Sequence, residues 1–156
     1  METHGAVGAI VANMPLVCVN KYVGQACYQL KNPQGKWTKI DIETLGGHHS
    51  TSTITAEGSL WIMGSWPGAK STEILTFDNN GKFVSQTSGP DLPQKAWGIC
   101  SFGQRDSKVM IAGGSLGTST YIYSFDEDKW VEGPALQHGR RLPGCGTIID
   151  HTTFKL

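Results

Sequence analysis

Residues 109–136 read Val109-Met110-Ile111-Ala112-Gly113-Gly114-Ser115-Leu116-Gly117-Thr118-Ser119-Thr120-Tyr121-Ile122-Tyr123-Ser124-Phe125-Asp126-Glu127-Asp128-Lys129-Trp130-Val131-Glu132-Gly133-Pro134-Ala135-Leu136. A short apolar run stops at two glycines. An alternating run then ends on Phe-Asp, a polar turn leads to a tryptophan, and Gly-Pro closes the stretch. Short alternating runs bounded by Gly, Pro and Asp are strand and turn signals.

The same order of features occurs upstream. Leu60-Trp61-Ile62-Met63-Gly64 precedes Glu73-Ile74-Leu75-Thr76-Phe77-Asp78, then Phe83, then Gly89-Pro90-Asp91-Leu92. A fainter copy runs through Leu16-Val17-Cys18-Val19-Asn20, Ala26-Cys27-Tyr28-Gln29-Leu30, Trp37 and Leu45. By numbering, Leu30, Phe77 and Phe125 lie 47 and 48 apart, and Trp37, Phe83 and Trp130 lie 46 and 47 apart. A further segment opens each unit: Gly98-Ile99-Cys100-Ser101-Phe102 matches Gly144-Cys145-Gly146-Thr147-Ile148, with Ser50–Ile54 as a weaker relative.

Each unit therefore reads as four strands. Strand a is Ser52–Ala56 or Gly98–Phe102, strand b Leu60–Met63 or Val109–Ala112, and strand c Glu73–Phe77 or Thr120–Phe125. Strand d begins at Phe83 or Trp130. Four strands repeated at a period near fifty are the mark of a β-propeller blade. The expected fold is all-β, a partial propeller of four-stranded antiparallel blades. Its units are 5–46, 47–94 and 95–139, and 140–156 begins a fourth, with strand a at Gly144–Ile149 and the opening of strand b at Thr153–Leu156. Closed propellers use about 4–8 blades. The chain is thus expected to be a piece of a longer propeller, with ring completion by self-association as the alternative.

Composition agrees. The 156 residues are 38% hydrophobic and 17% charged, too apolar for a disordered tail. Twenty glycines suit many short strands and tight turns better than helices. Thirteen basic residues balance thirteen acidic ones, which argues against a general grip on nucleic acid or an anionic membrane. The longest mildly apolar run, Gly5 to Val19, is interrupted by Asn13 and Pro15 and carries acidic Glu2 ahead of it. It reads as core strands and not as a signal peptide or a membrane span.

The motif resembles the kelch repeat, which has a double glycine after one strand, an aromatic and an acidic residue on the next, a tryptophan, a Gly-Pro-Leu-like turn, and an arginine before the following blade. Residues 95–139 carry Gly113-Gly114, Tyr123, Asp126, Trp130, Gly133-Pro134-Leu136 and then Arg141. Residues 47–94 substitute Gly64-Ser65 for the double glycine, Phe83 for the tryptophan and Lys95 for the arginine. Residues 5–46 are a degenerate copy, with Asn20 where glycine is expected and Gly47 in the arginine position. The aromatics on strands c and d are expected to pack between neighbouring blades.

No catalytic constellation is legible. His48 and His49 are adjacent, so on a strand they would point to opposite faces, and they read as a polar loop. His4, His138 and His151 lack ligand spacing, no CxxC occurs, and no GxSxG occurs. Residues 112–118 are glycine-rich but lack a P-loop lysine and precede a strand. Some kelch propellers are copper oxidases, but no matching Tyr and His set is present. The expectation is a non-catalytic protein-binding scaffold without a cofactor. The alternatives are an enzyme whose active site lies in further blades, and a secreted kelch protein. Kelch propellers often serve as ubiquitin-ligase substrate receptors or bind actin, through domains absent from these residues.

In kelch propellers the partner often docks on the face made by b–c and d–a loops. The candidate residues there are Lys21, Tyr22, Trp66, Lys95, Trp97, His138, Arg140 and Arg141. Arg, Trp and Tyr dominate binding hot spots, and a basic face suits a protein or acidic-peptide partner. The competing structural readings are an arginine that holds backbone carbonyls between blades, and tryptophans that cap a blade. Cysteine usage points to a reduced, cytoplasmic chain in which Cys100 and Cys145 are inert packing groups. Cys18 and Cys27 flank a turn. They are either a cross-strand disulfide, if they share a face, or two buried thiols.

Overall fold

A computed structural model describes residues 6–20, 25–42, 52–56, 58–104 and 107–141. These residues form three four-stranded antiparallel sheets. The first contains β1 (Ala6–Val11), β2 (Met14–Asn20), β3 (Gln25–Gln29) and β4 (Thr38–Ile40). The second contains β5 (Ser52–Ala56), β6 (Ser59–Met63), β7 (Thr72–Phe77) and β8 (Phe83–Ser88). The third contains β9 (Cys100–Gln104), β10 (Lys108–Ala112), β11 (Thr120–Ser124) and β12 (Lys129–Glu132). Every sheet is a meander in chain order, and the architecture is a partial, propeller-like all-β fold.

The second sheet is buried on both faces. Leu60, Ile62, Leu75 and Phe77 pack toward the first sheet, against Leu16, Cys18 and Cys27. Trp61 and Met63 pack toward the third, against Val109, Ile111 and Tyr123. All five positions of β6 are buried, which is why its sequence is a continuous apolar run with no alternation. The first strands of the three sheets, β1, β5 and β9, lie side by side. Hydroxyls stitch them together: Thr53 Oγ1 donates to Gly8 O at 2.9 Å, Thr55 Oγ1 to Ile10 O at 2.8 Å, and Ser101 Oγ to Thr53 O at 2.9 Å. Small hydroxyl side chains suit this position because they bond a neighbouring strand without holding it at a distance.

The Gly-Pro-x-Leu segments repeat their bonds. Gly89 N donates to Thr72 O and Leu92 N to Lys70 O; Gly133 N donates to Thr120 O and Leu136 N to Thr118 O. Each segment thus folds the end of the fourth strand back onto the start of the third.

Three details depart from expectation. The strand expected at 98–102 begins instead at Cys100, because Gly98 is still in the left-handed turn, with φ 59°. Trp37 lies ahead of β4 and is 47% exposed. Phe83 and Trp130 each pack toward the preceding sheet, whereas no described sheet precedes the first. The reduced-cysteine expectation also fails. Cys18 and Cys27 stand directly opposite each other on β2 and β3, Cα atoms 4.0 Å apart, and form a disulfide. They share the face that packs on the second sheet, so the bond is part of the core. Closing a loop of this length is worth about 2–3 kcal/mol in the chain-entropy picture. Cys100, expected as an inert thiol, is also disulfide-bonded. Cys145, like the strands expected after residue 141 and the histidines 4, 48, 49 and 151, lies outside the described residues.

Aromatics join the second and third sheets. Trp61 meets Tyr123 at 5.5 Å and Phe125 at 5.2 Å between ring centroids, and Tyr123 meets Trp130 at 5.3 Å. The buried Tyr123 hydroxyl is hydrogen-bonded to Asp128, which occupies a left-handed turn position that Asp tolerates. Burial, reinforced by the Asp128 hydrogen bond and charge, pushes the Tyr123 hydroxyl up to about 12. The folded state therefore favours the protonated phenol. That contribution is complete below the unfolded value of about 10 and is lost as pH rises through the folded value. The stability advantage of wild type over Tyr123→Phe should be constant below about pH 10 and shrink between about pH 10 and 12. Urea unfolding followed by tryptophan fluorescence across that range measures it.

Candidate functional site

The strip Lys95–Gly98 leads from β8 into β9 and is held between two loops. On one side it meets the loop after β6: Ser65 N donates to Ala96 O at 3.0 Å and Ala96 N to Ala69 O at 2.9 Å. On the other it meets the loop after β10: Ser115 N donates to Trp97 O at 3.0 Å, and Trp97 N donates to Ser115 Oγ at 2.9 Å. The glycines that end β6 and β10 make this approach possible. A Cβ on Gly64 would stand 2.5 Å from Ala96 O, and one on Gly114 would stand 2.3 Å from Gly98 O. Both glycines are left-handed, with φ 68° and 59°. The next connecting strip repeats the contact, since Gly114 N donates to Arg140 O at 2.7 Å. Leu116 turns inward from the same loop and is buried in the core.

This lacing brings several sequence-derived candidates together. Trp66 and Trp97 meet edge to face, ring centroids 4.6 Å apart and 88° between planes. The Arg141 guanidinium carbon lies 6.0 Å from the centre of the Trp97 ring, within cation–π range. Trp66, followed by a cis bond to Pro67, is 50% exposed, while Trp97 is half-buried. Lys95 sits beside Gly68 of the Trp66 loop and is exposed. Arg140 joins through its backbone, and its side chain and His138 are exposed on the same strip. Lys21 and Tyr22 lie outside the described residues.

The result is a ledge of two perpendicular indoles with cations above and beside it. Lys70 adds a cation from the Trp66 loop, its Nζ bonded to Pro93 O at 2.9 Å. Sequence reasoning passed over the buried Glu73, which accepts from Gln86 Nε2 at 2.7 Å. An acidic residue at an alternating strand position gives no sign that it faces inward. Among the described residues no three of His, Cys, Asp and Glu converge as metal ligands would. Among them, too, no helix is long and apolar enough to cross a membrane.

No protein-family model and no curated protein matches the chain. Among solved structures it is similar to that of YjhT, with a TM-score of 0.68 at 13% identity, covering 88% of this chain and 53% of that one. It is also similar to a novel fungal alcohol oxidase with catalytic diversity among the AA5 family, in complex with copper. There the TM-score is 0.55 at 15% identity, covering 83% of this chain and 32% of that one. The chain thus spans about half the length of the first and a third of the second. At these identities the likeness shows the propeller-like fold alone.

Gly114→Ala forces a Cβ into fixed backbone and adds left-handed strain, and should cost at least about 3 kcal/mol. Gly58 is left-handed too, at φ 71°, but has nothing within 4 Å of its Cβ position. Gly58→Ala should cost only about 1–2 kcal/mol. Comparing the two by denaturant unfolding separates close approach from strain.

Proposed function

We propose that this chain is part of a kelch-type propeller that serves as a non-catalytic binding scaffold and holds an acidic peptide against the Trp66–Trp97–Arg141 ledge. The observation that carries the reading is the ledge itself. A half-exposed Trp66 indole stands at right angles to that of Trp97, the Arg141 guanidinium lies over Trp97, and Lys95 is exposed beside the Trp66 loop. Rigid aromatics supply apolar contact at low conformational cost, and flanking cations select carboxylates. The loops that carry these residues are laced by backbone hydrogen bonds, so the surface is formed before a partner arrives. The close approach at Gly114, the packing of Trp130 against the inter-sheet core and the Gly133 N to Thr120 O bond give the motif residues structural roles, which supports the family reading. The disulfides support an oxidising compartment, and so the secreted alternative over the cytoplasmic one.

The test is fluorescence anisotropy with a labelled polyglutamate peptide. Charge reversal at Lys95, Arg140 and Arg141 together should weaken binding at least about tenfold, and Trp66→Ala by a similar factor. Because Trp66 is half exposed, Trp66→Ala should change stability by no more than about 1 kcal/mol. Unchanged affinity in a folded triple variant would overturn the assignment.

A further inference from the structure

The two strips that carry the ledge are held unequally. The Lys95–Gly98 strip bears Trp97 and is hydrogen-bonded by loops on both of its sides. The strip Gly139–Arg141 bears the guanidinium. It lies against the loop after β10, where Gly114 N donates to Arg140 O at 2.7 Å and a Cβ on Gly139 would stand 3.2 Å from the Gly117 carbonyl carbon. Among the described residues the Gly114 bond is the one backbone hydrogen bond of this strip. Arg141 itself is exposed, and its contact with the Trp97 ring is a cation–π contact at 6.0 Å. One exposed contact of that kind is too weak to fix a strip of chain by itself.

The cysteines supply a second tie. Four occur in the chain, at 18, 27, 100 and 145. Cys18 and Cys27 bond each other, and Cys100 is disulfide-bonded. Within the chain, Cys145 is the cysteine left for Cys100. Their places in sequence are telling, because Cys100 comes three residues after Trp97 and Cys145 four residues after Arg141. Extended chain spans about 3.3–3.6 Å per residue, so the two spacers reach roughly 10 and 13 Å. Spacers of that reach let the disulfide and the Arg141–Trp97 contact form together. The Cys100 end is a firm anchor, since Cys100 opens β9 and is buried.

We infer that Cys100 and Cys145 form the second disulfide, and that this bond is a clasp that keeps the Arg141 strip beside Trp97. The Gly114 bond holds the strip just before Arg141, and the disulfide holds the chain shortly after it. Between two such ties the strip has little freedom to swing away, so the guanidinium is in place before a ligand arrives. Cys100 and Cys145 are thus positioning residues for the ledge. The effect on recognition rests on the acidic-peptide reading above; the bond and the hold on the strip do not.

Peptide mapping of the full chain reads the bond without any variant. Free thiols are blocked with N-ethylmaleimide, and the unfolded, unreduced chain is cut with trypsin. Peptides 96–105 and 142–155 are expected as one linked species that separates on reduction. Another partner for Cys100, or a blocked thiol there, overturns the inference. Limited trypsin digestion of the folded chain reads the clasp. Cleavage after Arg140 and Arg141 should be at least about tenfold faster in Cys145→Ser than in wild type, while cleavage after the exposed Lys82 stays within about twofold. An equal rise at both places reports general loosening and overturns the clasp, as does no rise at either. Labelled polyglutamate should bind Cys145→Ser about three- to tenfold more weakly than wild type. Unchanged affinity in a variant whose strip is cut faster would overturn the positioning role. A wild-type chain with the linked peptides and the protected strip but no affinity for polyglutamate would overturn the acidic-peptide reading and uphold the clasp.

Discussion

The structure depends on one backbone contact, the seating of the Lys95–Gly98 strip between the loops that follow β6 and β10. Four hydrogen bonds from both sides hold a strip barely one residue wide, and they form only if nothing projects from Gly64 and Gly114. Peptide groups this close to one another satisfy each other's donors and acceptors, so the loop end of two sheets becomes a single rigid piece. The same strip delivers the chain into β9, at the inner end of the next sheet, and so sets how one sheet follows another.

The rest of the packing answers to that geometry. Once adjacent sheets are held at their loop ends, the middle sheet must be apolar on both faces, and β6 is. The inner strands must approach closely, and Thr53, Thr55 and Ser101 allow this while bonding their neighbours' carbonyls. The Cys18–Cys27 disulfide lies within the first interface, and the Trp61–Tyr123–Trp130 stack fills the second. Tyr123 also anchors the turn before β12 through Asp128, so one side chain joins inter-sheet packing to local turn geometry.

Two surfaces follow from the way the sheets are joined. At the loop end, lacing presents Trp66, Trp97 and Arg141 together with their rings already oriented. Nearer the outer strands, the Gln29–Gly81 bond joins the first two sheets, with a cleft beside it bordered by lysines and Asp41. Neither lies within a single sheet. Each is made where a loop of one sheet meets its neighbour, which is where a repeat architecture has room to vary its chemistry without disturbing its core.

The repeat was legible in the chain because it rests on local chemistry. Alternation, paired glycines, Gly-Pro turns and a recurring aromatic are all set by residues within a few positions of one another. The order of the four strands in each sheet followed from them, even in the degenerate first unit. The ledge was half legible: residue type and loop position marked Trp66, Trp97 and Arg141, but their contact depends on two loops separated by a whole strand pair. The Gln29–Gly81 bond was not legible, since nothing within a few positions of either residue shows that β3 and the turn before β8 meet. The cysteines mark the same boundary. Sequence by itself placed Cys18 and Cys27 around a turn, but only the register of β2 against β3 puts them on one face. Periodicity and turn chemistry act over a few bonds and so can be read from the chain. Which sheet faces meet, and what stands opposite what, is decided by packing between distant segments and belongs to the tertiary structure.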